Sequence, residues 1–197
     1  MLNIYKYHDT PESLPHYKAL KSKLSILQHP SSWEDEGYTP EDFAPVLNAI
    51  KKSPKLSYYY ASDILKHRWE DAEPTIMKDA KWACMYARLV FKDRWKEAEP
   101  YIMKDPEYAY LYAMYTIKGR WKEAEPYLMK SPEYASWYAA KILNDRWHEA
   151  EPYIMQNPDW AYWYASKVIK GRWEEAESNI KSNNRTWLSY KNEFGIE

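Results

Sequence analysis

Apolar positions in this chain follow a helical rhythm that restarts every 26 residues. Trp95, Ala98 and Ile102 recur at i, i+3 and i+7. Further on, Tyr112, Ala113, Thr116 and Ile117 fall at i, i+1, i+4 and i+5. Each set marks one buried stripe on an α-helix with polar residues around the rest of its surface. The next copies carry Trp121, Ala124, Leu128 with Tyr138, Ala139, Ile142, Leu143, then Trp147, Ala150, Ile154 with Tyr164, Ala165, Val168, Ile169. The pattern predicts two helices per copy, a shorter one followed by a longer one of about three turns.

Local signals punctuate the longer helix. Asp105, Ser131 and Asn157 suit the N-cap, where a side-chain oxygen takes an otherwise unpaired backbone N–H. Pro106, Pro132 and Pro158 follow at the first helical position, where a missing N–H costs nothing. Glu107, Glu133 and Asp159 place negative charge at the positive end of the helix dipole. Ser53-Pro54 repeats the signal upstream. At the other end, Asp93, Gly119, Asp145 and Gly171 are expected to take the left-handed conformation that stops a helix. Pro100 is awkward in the shorter helix; either that helix begins just before it or it kinks there.

Arg-Trp opens each copy at 68, 94, 120, 146 and 172. Two short helices cannot bury their stripes alone, but stacked copies can. The fold class expected is all-α: an α-solenoid of about six helix-turn-helix repeats of 26 residues, with units starting near 42, 68, 94, 120, 146 and 172. The first and last units are degenerate. In the first, Phe43 takes the Trp place, Ile50 the Ile place, and Tyr60, Ala61, Ile64 and Leu65 the long-helix stripe. The last keeps Trp173, Ala176, Glu177 and Ile180 and then turns polar from Ser178 to Asn184, as a capping repeat does. Residues 1–38 stand apart from the array at 39–197. Leu14, Tyr17, Leu20, Leu24 and Leu27 suggest an amphipathic cap helix, and 29–38 a polar connector.

Charge narrows the partner classes. The 28 Lys+Arg and 29 Asp+Glu nearly cancel, which disfavours broad nucleic-acid binding. Aromatics reach 17%, as 20 Tyr and 11 Trp against 3 Phe, an excess of rings with a polar edge that suit half-buried positions. Cys84 is the only cysteine, so an internal disulfide is impossible and a reducing compartment is the natural reading. No run approaches the roughly 20 apolar residues of a membrane span, and the first residues lack a signal-peptide core. A cytoplasmic protein with no membrane contact is expected, and the sequon Asn184-Arg185-Thr186 reads as chance.

The string Arg-Trp-x-Glu-Ala-Glu-Pro-x-Ile-Met, continued by Pro-x-x-Ala-x-x-Tyr-Ala, resembles tandem repeats in proteins of tailed bacteriophages. The likeness is strong over 68–171 and weaker over 42–197. The resemblance implies a phage setting, with the host cytoplasm as location and binding or inhibition of a host factor as role. It implies no catalytic activity.

Catalytic signatures are absent: no Gly-rich phosphate loop and no Gly-x-Ser-x-Gly elbow. His148-Glu149 begins like a zinc-protease helix, but Pro152 stands where the second His belongs. A site from His8, His16 and His29 would need the N-terminus to fold back, and neither metal nor cofactor is expected. Cys84 reads as a small filler. The acidic ladder Glu73, Glu99, Glu125, Glu151, Glu177 admits a row of carboxylates for cations or a basic partner. The favoured reading pairs it with Arg68, Arg94, Arg120, Arg146 and Arg172, or with free N–H groups at a helix start, in support of the stack. The ladder Trp69, Trp95, Trp121, Trp147, Trp173 could stack nucleobases, but its place on the apolar stripe favours core packing, as for Tyr60, Tyr86, Tyr112, Tyr138 and Tyr164.

Other columns vary from copy to copy yet stay large and apolar. One runs Cys84, Tyr110, Ser136, Tyr162 and another Met85, Leu111, Trp137, Trp163. Two more run Arg88, Met114, Ala140, Ser166 and Leu89, Tyr115, Lys141, Lys167. Solenoids bind partners along one extended face, and Trp, Tyr and Met favour interface centres. Met85, Arg88, Tyr110, Leu111, Met114, Tyr115, Trp137, Lys141, Tyr162, Trp163 and Lys167 are therefore the candidate binding residues for a protein partner. The bland alternative buries part of this set between layers. The second function class is a binder of a nucleotide or single-stranded nucleic acid, with Tyr and Trp stacking bases and Arg or Lys on phosphates. The pattern leaves oligomeric state open.

Overall fold

The structure is a computed structural model that describes residues 40–197. The expected N-terminal cap helix, its connector, the His8/His16/His29 arrangement and the Phe43 side chain lie outside the described residues. Every regular element among the described residues is helical, in two compact units that divide after Ile76.

The described part of the first unit opens with the helix Pro40–Lys51. Ser53 then caps Pro54–Tyr59 by accepting from the Leu56 N–H at 3.3 Å. That helix continues as a π-helical turn, Tyr60–Leu65. A 3-10 turn Glu70–Ala72 and one α-turn Glu73–Ile76 follow. Ile50, Tyr58, Tyr59, Ala61 and Ile76 form its core. Tyr60 packs on Trp69 with ring centres 4.7 Å apart, although Trp69 itself is only half-buried.

The second unit is the stack. Its long helices start at Ala80, Pro106, Pro132, Pro158 and Asn184, and each packs on the next in sequence order. The single α-turns Glu99–Ile102, Glu125–Leu128, Glu151–Ile154 and Glu177–Ile180 sit between them in the chain and pack beside them. This is the all-α helical-repeat architecture that the 26-residue period implies.

The caps behave as expected with one exception. Asp105 accepts from the Glu107 and Tyr108 N–H groups, and Asn157 from those of Asp159 and Trp160. Ser131 has the extended N-cap backbone but its side chain makes no capping bond. The first half of each repeat is shorter than its stripe suggests, being a tight turn and then one α-turn. The Ala98 N–H donates to the Trp95 carbonyl at 3.0 Å, and the α-helix starts only at Glu99. Pro100 is thus its second residue, where no intrahelical donor is lost.

The helix stop is displaced by one residue from expectation. Lys66, Lys92, Lys118, Asn144 and Lys170 hold the left-handed conformation, at φ 52 to 60°. Asp93, Gly119, Asp145 and Gly171 follow it in ordinary backbone. The cause is the π-turn that ends each long helix: Ala87–Phe91, Ala113–Ile117, Ala139–Leu143 and Ala165–Ile169. The Gly119 N–H then closes back on the Ala113 carbonyl at 3.1 Å, so the reversal falls on Lys118. Tyr112 and Ala113 are sealed, whereas Thr116 and Ile117 are half-buried because the chain turns away directly after them.

Candidate functional site

The invariant ladders build the scaffold. Arg94 donates from Nε and Nη2 to the two oxygens of Glu99 at 2.8 and 2.9 Å. The same two-pronged pair joins Arg68 to Glu73, Arg120 to Glu125, Arg146 to Glu151 and Arg172 to Glu177. A guanidinium fork matches a carboxylate in this way, and it fixes the entry to each short helix. Burial alone would raise the Glu151 carboxyl, but the hydrogen bond and charge of Arg146, with His148 beside it, hold it below the usual range. The Arg172 hydrogen bond lowers Glu177 likewise. Glu123, Glu149 and Glu175, one repeat on, add to the field at Arg94, Arg120 and Arg146.

Tyrosine ties these pairs to the core. The Tyr112 hydroxyl accepts from the Trp95 N–H at 2.7 Å and donates to Glu99 at 3.2 Å. Tyr138 and Tyr164 repeat both bonds with Trp121 and Glu125, and with Trp147 and Glu151. Each ring also packs on the tryptophan of the next repeat: Tyr112 on Trp121 at 5.0 Å, Tyr138 on Trp147 at 5.2 Å, Tyr164 on Trp173 at 5.3 Å. Trp95, Trp121, Trp147 and Trp173 are 1 to 2% exposed, so none can stack a nucleobase.

The variable columns divide. Cys84, Tyr110 and Ser136 are buried between layers, which removes Tyr110 from the accessible candidates. Burial pushes the Cys84 thiol up to about 12 and the Tyr110 phenol, with Tyr115 adding, to about 12. Tyr162, in the same column, stays half-exposed, and its hydroxyl donates to Glu193 at 2.5 Å. Met85, Arg88, Leu111, Met114, Tyr115, Trp137 and Trp163 are half-buried, and Lys141 and Lys167 are exposed. Arg88 lies 4.3 Å over the Tyr115 ring. Tyr110 donates to the Met114 sulfur at 3.0 Å.

Several candidates converge with residues that the sequence reading passed over. Trp137 meets Tyr110 at 5.8 Å, Tyr134 edge-on at 5.5 Å and Trp160 edge-on at 5.7 Å, and Trp160 meets Trp163 at 5.7 Å. The result is a half-exposed run of rings across two layers of the stack. Tyr134 and Trp160 belong to a column, Trp82, Tyr108, Tyr134, Trp160, that is aromatic in four copies. Its constancy was the available signal, obscured by the Pro-Glu cap signal just before it. Glu133 flanks the run, its carboxyl raised by burial and by Glu107.

Among the described residues no three His, Cys, Asp or Glu side chains converge to hold a metal ion, and no helix is long and apolar enough to cross a membrane. No family model, curated protein or solved structure matches this chain.

Proposed function

We propose that the protein is a non-enzymatic docking module that engages a protein partner through the outward face of its long helices. The phage setting implied by the repeat resemblance would make a host factor one class of partner. The observation that carries the reading is the run of rings from Tyr134 to Trp163, half-exposed on a rigid scaffold while every invariant tryptophan of the stack proper is sealed. Partly exposed Trp and Tyr are the side chains that dominate interface energetics, each worth about 2 kcal/mol or more when fully covered. The scaffold holds them in place beforehand, which lowers the entropic cost of binding. Alanine at Trp137, Tyr162 and Trp163 together is expected to abolish capture of protein partners by the immobilised chain, with helical circular dichroism unchanged. Unchanged capture would remove the face from consideration. Tight, salt-sensitive binding of nucleotides or oligonucleotides in calorimetry would replace this reading with base stacking.

A further inference from the structure

The outward face has a charge pattern that fits itself. Glu133 and Lys141 flank Trp137 four residues to either side, and Asp159 and Lys167 flank Trp163 in the same way. Residues spaced by four share one face of a helix, so each tryptophan sits between opposite charges about 12 Å apart. The last long helix carries the inverse order, Arg185 then Glu193. The helix dipole favours acid at the start and base at the end, so it accounts for the first two helices but not for the third. All six charged residues are exposed except Glu133, which is half-buried. Among the described residues Glu133, Lys141 and Lys167 make no ion pair, while Asp159 and Glu193 also accept hydrogen bonds from Thr186 and from Tyr162 and Ser166.

These three helices carry three positive and three negative groups, and the two preceding long helices add Lys81 and Glu107 in the same columns, opposite uncharged Leu89 and Tyr115. The columns are thus neutral, which matches neither a polyanion nor a uniformly charged peptide. A two-fold axis along the row of helices suits it. Such a rotation lays each helix antiparallel on its own copy, so Glu133 meets Lys141, Asp159 meets Lys167, Arg185 meets Glu193, and the tryptophans meet at the centre. An axis parallel to the helices that passes through either tryptophan-bearing helix, or between the two, would instead place acid against acid there, Glu133 or Asp159 meeting its own copy or each other. We propose that this face is a two-fold self-association surface whose occupant is a second copy of the chain. The proposal rests on the reading of the face as a docking surface and names its partner.

Sedimentation of the full chain over a range of concentrations tests it. The unaltered chain is expected to be a dimer. Lys141→Glu is expected to weaken the dimer about ten-fold or more, since like charges then face each other twice across the axis. Combining Lys141→Glu with Glu133→Lys restores it, because in a two-fold pair the exchanged charges meet one another. Lys167→Glu gives a second reading should circular dichroism show Lys141→Glu unfolded. A monomer at every concentration, a dimer indifferent to these reversals, or a double exchange that fails to restore would each overturn the proposal. If the chain is monomeric but alanine at Trp137, Tyr162 and Trp163 still abolishes capture of a different protein, self-association falls and the docking reading stands. If capture is also unchanged, both fall.

Discussion

A left-handed lysine is an unusual choice, and the chain makes it at Lys66, Lys92, Lys118 and Lys170. Side chains with a Cβ cost roughly 1–2 kcal/mol in this conformation, whereas asparagine, as at Asn144, tolerates it better. Glycine stands one position too late at 119 and 171 to relieve the strain. Lys118→Gly should therefore stabilise the fold by about 0.5–1 kcal/mol, since relief in the folded state exceeds the added freedom of the unfolded chain. Gly119→Ala should shift stability by less than about 0.5 kcal/mol, because a Cβ there meets nothing within 4 Å and the backbone is ordinary. Urea midpoints at constant slope measure both. A large loss in Gly119→Ala, with no gain in Lys118→Gly, would move the turn back to the glycine.

Between one helix and the next, tyrosine is the joint. Tyr138 holds the Trp121 backbone at 2.6 Å within its own repeat and packs on Trp147 of the following one. Tyr138→Phe keeps the ring contact but leaves a buried N–H without its acceptor and takes one of three donors from Glu125, whose pair with Arg120 remains; the loss should cost about 1–3 kcal/mol. The phenol also gives a pH signature. Burial, outweighing the Trp121 hydrogen bond, raises Tyr138 to about 12. The folded state thus favours the neutral phenol. That contribution is complete below the ordinary value near 10 and lost as pH rises through about 12. Thermal melts between these limits should fall more gently in Tyr138→Phe than in the parent. The joint was only half legible in the sequence. The apolar stripes and Ser/Asp/Asn-Pro caps located the long helices, and the invariance of Tyr112, Tyr138 and Trp121 marked them as structural. What joins them is a bond across 17 residues and a ring contact across nine, and local periodicity carries no record of either. The left-handed position was hidden for a related reason. It depends on a π-turn, which shifts the helix end by one residue without changing the hydrophobic pattern. The burial of Tyr110 was hidden because a column that varies in size looks free until the neighbouring layer is in place.

Across the whole stack, one column records where layers press together. Ala83, Ala109, Ala135 and Ala161 are fully buried, and the same position in the helix Asn184–Phe194 is Trp187. Trp187 lies almost parallel on Tyr190 at 5.6 Å, and Phe194 closes on the same ring at 4.8 Å. Together they cover the tyrosine that in the preceding layers is covered by the next repeat's tryptophan. A large ring is thus suited to this position only where no following layer packs against the tyrosine, and stability in such an array is a sum of layer and neighbour contributions. Ala161→Trp should force the layers around it apart and cost about 1–3 kcal/mol or more by overpacking. Trp187→Ala should instead expose Tyr190 and loosen the last layer alone. Hydrogen exchange should then quicken over 184–194 while protection over 132–143 is kept, because the intervening layer at 158–169 retains its own contacts. If Trp187→Ala quickened exchange equally in both segments, the layers would be melting as one cooperative block, and the additive nearest-neighbour account of this stack would be wrong.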